Sequence, residues 1–291
     1  MQVVIHAGAH HTDEDRLIGC LSANRTMLAE YGTNVPDPSR YRRLLRDILH
    51  QAQQTGLGAD ARDILVDAIS EEGAVDRLVL SNPGFFGTPK MSVGSGRFYG
   101  AAELRLGLFR QLFPDDQLEL FLGLANPATF LPALMAGTEF DTMEGLLRGC
   151  EATDLRWSEM IARVRKAHPD IPVTVWCNED TPLIWAQVVR EMAAIDPTVS
   201  FKGEFSLIEE IMTGPGLERF HAYMAAHPGM SEVQKRRVIA AFLDKFADEG
   251  AIEQELDVPG WTDELVSSLT EIYDEDIFEI ERIQGVQIIA P

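Results

Sequence analysis

Gln2-Val-Val-Ile-His-Ala-Gly-Ala-His-His-Thr-Asp-Glu-Asp-Arg16 opens the chain and decides its fold. Val3, Val4 and Ile5 form a short β-branched run, which reads as a buried strand. Gly8 permits a tight turn, and Thr12 followed by acidic residues has the form of a helix N-cap. A strand that passes straight into a helix N-terminus is where α/β proteins hold phosphate, using backbone amides and the positive end of the helix dipole. The letters of this loop run against that use. A phosphate loop offers glycines and a lysine or arginine, whereas this one offers His10, His11, Asp13, Glu14 and Asp15.

Moving outward, Leu17, Ile18, Leu21, Met27 and Leu28 recur at helical spacing, which predicts one helix ending near Gly32. Asn34 to Pro38 reads as a stiff loop, and Tyr41, Leu44, Leu45, Ile48 and Leu49 repeat the helical pattern. A helix is expected from about Ala59 to Ser70, with Gly73 releasing the chain into a strand over Val75 to Ser81. The stretch from Asn82 to Gly100, rich in glycine and proline, reads as a long irregular loop, the kind that in a compact domain is usually functional or mobile. A helix from Ala101 to Phe113, strands over Gln117 to Leu124 and Val173 to Cys177, and a helix from Leu155 to Ala167 follow. Beyond Asp196 the segments near Leu217, Val233 and Leu265 read as helices, and no further strand is expected. Alternating strands and helices predict a three-layer α/β sandwich with a mostly parallel sheet over residues 1–200, carrying a helical extension over 201–291.

With 46 acidic against 25 basic residues, the chain carries a formal charge of -21. That field repels nucleic acid and anionic membrane, and it suits a cationic or neutral ligand or a protein partner. Solubility alone is an equally physical reason for such acidity. Cys20, Cys150 and Cys177 are odd in number and widely spaced, as expected for reduced cysteines in a cytoplasmic protein. No basic, apolar leader and no membrane-length apolar run is evident.

Ile5-His-Ala-Gly-Ala-His-His-Thr12, Leu21-Ser-Ala-Asn-Arg25 and the segment from Tyr31 to Pro36 together resemble the opening of bacterial P-loop sulfotransferase-like proteins. In that family a strand leads into a loop of the form H-x-G-x-x-K-x-G-T-T and then a helix carrying an N-R pair. Leu120-Phe-Leu-Gly-Leu-Ala-Asn-Pro127 is similar to the family's third strand, which closes in R-[DN]-P, and the likeness extends through Val175 to Pro182, Tyr273 to Ile277 and Val286 to Pro291. The resemblance implies a P-loop fold and transfer of a sulfuryl group from 3′-phosphoadenosine 5′-phosphosulfate (PAPS) to an alcohol or amine. It also implies cofactor contacts at Gly8, His11, Thr12 and Asn126. The departures are at the charged positions: His11 stands at the lysine, Asp13 at the glycine, Glu14 and Asp15 at the threonines, and Ala125 at the arginine. After the second strand, Ser81-Asn-Pro-Gly84 supplies no general base. One carboxylate roughly 5 Å from a phosphate charge costs on the order of 3 kcal/mol at an effective dielectric of about 20, or about two orders of magnitude in affinity.

The resemblance and its departures together imply a pseudoenzyme, a non-catalytic binding or interaction protein that takes no cofactor. A second reading keeps the transferase: Thr12, backbone amides, Lys90 and Arg97 hold PAPS, while His10 or His11 acts as general base with Glu14 orienting the imidazole. A third draws a metal site from His6, His10, His11, Asp13 and Asp15, whose spacing matches no strong motif. Plain structural readings stand beside these. The acidic triplet would stabilise the first helix, and Arg40, Arg42, Arg43 and Arg46 would form a solvated face. The long loop would either cover the first loop, with Phe85 and Phe86 filling apolar space and Lys90 or Arg97 reaching the carboxylates, or stand exposed.

Overall fold

Val3, Val4 and Ile5 are all fully buried, so the first strand packs on both faces, and this is why its sequence is a continuous apolar run rather than an alternation. The computed structural model describes residues 1–69, 75–252 and 258–291. Its strands are β1 (Gln2–His6), β2 (Thr33–Asn34), β3 (Arg77–Ser81), β4 (Val93–Gly94), β5 (Arg97–Phe98), β6 (Gln117–Leu124), β7 (Val173–Cys177) and β8 (Val286–Ile289). Between them run α1 (Arg16–Ala23), α2 (Arg25–Glu30), α3 (Pro38–Thr55), α4 (Ala61–Ile69), α5 (Ala102–Leu112), α6 (Pro127–Ala136), α7 (Met143–Leu147), α8 (Trp157–Ala167) and α9 (Thr181–Ala193). The C-terminal part adds α10 (Ser206–Ile211), α11 (Gly214–Ala226), α12 (Glu232–Phe246), α13 (Glu249–Ile252) and α14 (Asp263–Glu281).

Six strands form one sheet in the order β2-β3-β1-β6-β7-β8, and every pairing in it is parallel. Alternate residues of β1 face opposite layers, as the pleat requires. Val3 and Ile5 join a core with Tyr41, Leu45, Phe109, Leu131, Trp157 and Leu269, from α3, α5, α6, α8 and α14. Val4 joins the other core with Leu17, Leu21, Leu28 and Val188, from α1, α2 and α9. The result is the expected three-layer α/β arrangement. The chain runs from β1 outward to β2 and β3, then crosses to β6 on the other side of β1. That reversal sets a topological switch point at the carboxyl ends of β1 and β6, where α/β sheets hold ligands.

Four local expectations are corrected. The helix read from Leu17 to Gly32 is two, because Asn24 turns its side chain to backbone: Nδ2 donates to the carbonyls of Cys20 (2.8 Å) and Lys202 (2.9 Å), and Oδ1 accepts from the Lys202 amide (2.8 Å). The stiff loop overlaps at Asn34 with β2, a two-residue edge strand beside β3. The irregular loop contains the antiparallel pair β4 and β5. The C-terminal part is not helix throughout, since β8 pairs with β7 and completes the sheet, delivered there by α14. Helices α10, α11 and α12 hold a small core of their own around Ile208, Phe220 and Ile239. The helix end expected at Ser70 and the release expected at Gly73 lie outside the described residues. Among the described residues no helix is long and apolar enough to cross a membrane.

Candidate functional site

Past His6 the chain stays bound to β6: the Ala7 amide donates to the Phe121 carbonyl (3.1 Å) and the Ala9 amide to that of Gly123 (2.8 Å). The turn needs Gly8, which sits at φ +97°, where a Cβ would lie 3.1 Å from the His10 nitrogen and 3.2 Å from Pro83 Cα. His11, Glu14 and Asp15 also occupy the left-handed region, a conformation that costs a non-glycine residue about 1 kcal/mol or more. Side-chain anchors hold Glu14 and Asp15 there. Asp15 is bonded at both oxygens by Arg42 (2.6 and 2.7 Å), and Glu14 pairs with Arg16 (3.0 Å). The Arg42 guanidinium draws the Asp15 carboxyl below its ordinary range.

His10 is buried in this loop, with its ring locked. Its amide donates to the Tyr99 hydroxyl (3.0 Å), and Nδ1 lies 2.8 Å from that same oxygen and 3.1 Å from Ser92 Oγ. The network assigns Nδ1 as acceptor, since the Tyr99 oxygen already receives one N–H and turns its own proton to the ring. Burial, with His11 adding to it, pulls the His10 pKa down to about 4. Burial also pushes the Tyr99 hydroxyl up to about 12 and lowers His6, whose Nδ1 is 2.8 Å from Ser81 Oγ. Replacing Tyr99 by Phe should strand the buried His10 amide, leave the ring nitrogen only Ser92 Oγ, and destabilise the fold by about 1–3 kcal/mol in chemical denaturation. A loss below about 0.3 kcal/mol would contradict this network.

Three helix starts along the carboxyl edge of the sheet carry carboxylates from the chain itself. Asp13 is buried, and its Oδ2 accepts from the Leu17 amide of α1 (3.1 Å) while its carbonyl accepts from Arg16 (2.8 Å). Glu179 accepts from the amide of Asn126, which opens α6 (2.7 Å), and from the Tyr273 hydroxyl (3.2 Å). Asp276, on α14, accepts from the Trp157 (2.6 Å) and Ser158 (3.1 Å) amides that begin α8, and from the Ser158 hydroxyl. Each amide points along a helix axis toward negative charge, the arrangement that elsewhere binds anions.

The residues singled out in the sequence do not all meet here. Thr12 is no N-cap: its hydroxyl donates to the Ala9 carbonyl (2.8 Å), and Asp13 takes the helix amide instead. The acidic triplet precedes α1 rather than forming its first turn. His11 is exposed and lies against α6, where a Cβ on Gly137 would come 3.0 Å from its Nε2. Asn126 caps α6 through Oδ1 to the Ala128 amide (2.9 Å) and donates to Thr270 (2.9 Å). The expectation that Lys90 or Arg97 reaches the acidic loop is overturned, because Lys90 pairs with Glu139 (3.4 Å) and Arg97 with Glu159 (3.5 Å). The solvated-face reading is corrected at Arg42, which binds Asp15 and the Ser81 carbonyl. The long loop does cover the first one, with Phe85 and Phe86 buried, but Ser92 and Tyr99 make the contact instead of cations. Among the described residues, no His, Cys, Asp or Glu side chains gather in a group that could hold a metal ion.

Fold and site together define a parallel-sheet α/β protein in which the chain's own carboxylates sit at helix starts on the ligand-binding edge. Comparison with protein-family models gives no match, and comparison with curated proteins gives none either.

Proposed function

We propose that this chain is a non-catalytic binding or interaction protein on a P-loop sulfotransferase-like frame, with the 5′-phosphosulfate and 3′-phosphate positions occupied by its own side chains. The observation that carries this reading is the pair of internal carboxylates, Asp13 on the α1 amide and Glu179 on the amide opening α6, at the two loops flanking the switch point. A cofactor anion arriving there would meet like charge and helix amides already in use. Ala125 supplies no donor beyond its backbone, and its carbonyl is taken by Trp157 Nε1 at 2.9 Å. The strand order, with β1 between β3 and β6, supports the frame.

The transferase reading asks Lys90 and Arg97 to replace the absent clamps, and both are paired with glutamates away from the loop. Calorimetric titration with adenosine 3′,5′-bisphosphate, with and without a divalent cation, tests the proposal. No saturable heat is expected at the first loop up to about 1 mM ligand, and low-micromolar binding there would overturn the reading.

A further inference from the structure

Beside the first loop, at the carboxyl end of β3, a cleft of 450 Å³ lies between α3, α5 and the loop after Asn82. Among the described residues four arginines line it, Arg42, Arg43, Arg46 and Arg105, and no acidic side chain does. In a chain with 46 acidic and 25 basic residues such a grouping is locally inverted. Arg43 and Arg46 stand three apart on α3 and so share a face, with Arg42 beside them. Arg42 is fixed by Asp15 and the Ser81 carbonyl and serves as a wall. Arg43 and Arg46 share one carboxylate, Asp47, at 3.8 and 3.1 Å, which leaves most of their N–H groups directed elsewhere.

Arg105 lines the same cleft. It comes from α5 across the cleft, it is half-buried, and its Nε is enclosed without a hydrogen-bond partner among the described residues. Burial pulls its pKa below the usual guanidinium value. A cation taken partly out of water is stabilised when an anion joins it. Leu49, Phe85 and Met91 give the same cleft an apolar wall, with Met91 left 46% exposed.

We infer that this cleft binds a small molecule carrying a phosphate or sulfate group on an apolar body, the oxyanion held by the forks of Arg43, Arg46 and Arg105 and the body lying against Phe85 and Met91. Planar guanidinium forks match tetrahedral oxyanions, and a small anion in a local cleft is less hindered by net charge than a polyanion is. The site adjoins the first loop through Arg42 but takes none of that loop's side chains as a ligand-holding group.

The test uses the full chain in chloride buffer, titrated calorimetrically with phenyl phosphate, phenyl sulfate and inorganic phosphate. At least one ester is expected to saturate with a Kd below about 1 mM, and about tenfold tighter than inorganic phosphate because the ring adds apolar contact. Arg43→Gln with Arg46→Gln, and separately Arg105→Gln, should each weaken the ester at least about tenfold, while Lys90→Gln leaves it unchanged. The tighter ester names the anion. Arg43 and Arg46 are exposed, so their variants should fold, and circular dichroism checks this. Absence of saturation by both esters, or equal affinity in the arginine variants, would overturn the site, and parity with inorganic phosphate would overturn the apolar half of it. Adenosine 3′,5′-bisphosphate binding that persists in the Arg43→Gln/Arg46→Gln variant would speak against the proposed function and leave the cleft untouched.

Discussion

Acidification from pH 7 to pH 4 is expected to remove about 3 kcal/mol of stability through His10 alone, from an unfolded value of 6.5 and a folded value of about 4 at about 1.4 kcal/mol per unit. The sign follows from the neutral ring being the one the fold accepts. Nδ1 faces the Tyr99 hydroxyl, which already receives the His10 amide, so a proton on Nδ1 would set two donors on one oxygen in a buried site. A depressed folded pKa gives stability that is present above the unfolded value and lost as pH falls toward the folded one. Urea denaturation of the protein and of a His10→Gln variant at pH 7, 5.5 and 4 isolates the effect, because His6 and the carboxylates are common to both. The stability gap should shrink by about 3 kcal/mol over that window. A gap that stays constant would show that His10 does not titrate as its surroundings require.

Replacing Asp276 by Ala should cost about 3–5 kcal/mol, the largest effect expected of one substitution on the carboxyl edge. Asp276 is buried, and its removal leaves the Trp157 and Ser158 amides and the Ser158 hydroxyl without their acceptor at the start of α8. Burial holds its carboxyl above the ordinary range even with those donors, which shows that desolvation outweighs them. Asp276→Asn keeps one oxygen and should therefore lose less, about 1–2 kcal/mol. Trp157 is fully buried and donates to the Ala125 carbonyl, so loosening α8 should also red-shift tryptophan emission. Equal losses for Ala and Asn would mean that the oxygen acceptor is irrelevant and that packing alone sets the cost.

Much of the architecture was legible in the sequence because periodicity reports burial. The runs at Val3 to Ile5, Leu78 to Leu80 and Leu118 to Leu124 are buried strands, and β6 has the predicted bounds. What escaped was set by partners distant in sequence. β8 is four residues long and acquires its meaning from β7, more than a hundred positions earlier. Asn24 breaks a helix because Lys202 lies opposite it. Gly8 was readable as a turn, whereas Tyr99 carries no local mark of its bond to His10 across 89 positions. Asp276 did leave a signal. It shares the buried stripe of α14 with Leu269, Tyr273 and Ile280, and a charged residue in an apolar stripe needs buried partners. Lys90 and Arg97 were assigned from loop position, which says where a backbone runs but not which carboxylate captures a long side chain.

The proposal that the chain's own carboxylates stand where cofactor anions would bind is tested by one calorimetric comparison. Adenosine 3′,5′-bisphosphate is titrated into the Arg43→Gln/Arg46→Gln protein, which removes the neighbouring cleft, and into the same protein carrying Asp13→Gly and Glu14→Thr. No saturable binding is expected in the first, and weak binding should emerge in the second as like charge is withdrawn, by about two orders of magnitude per removed carboxylate at most. Low-micromolar binding in the first protein, unchanged by the two loop substitutions, would contradict it.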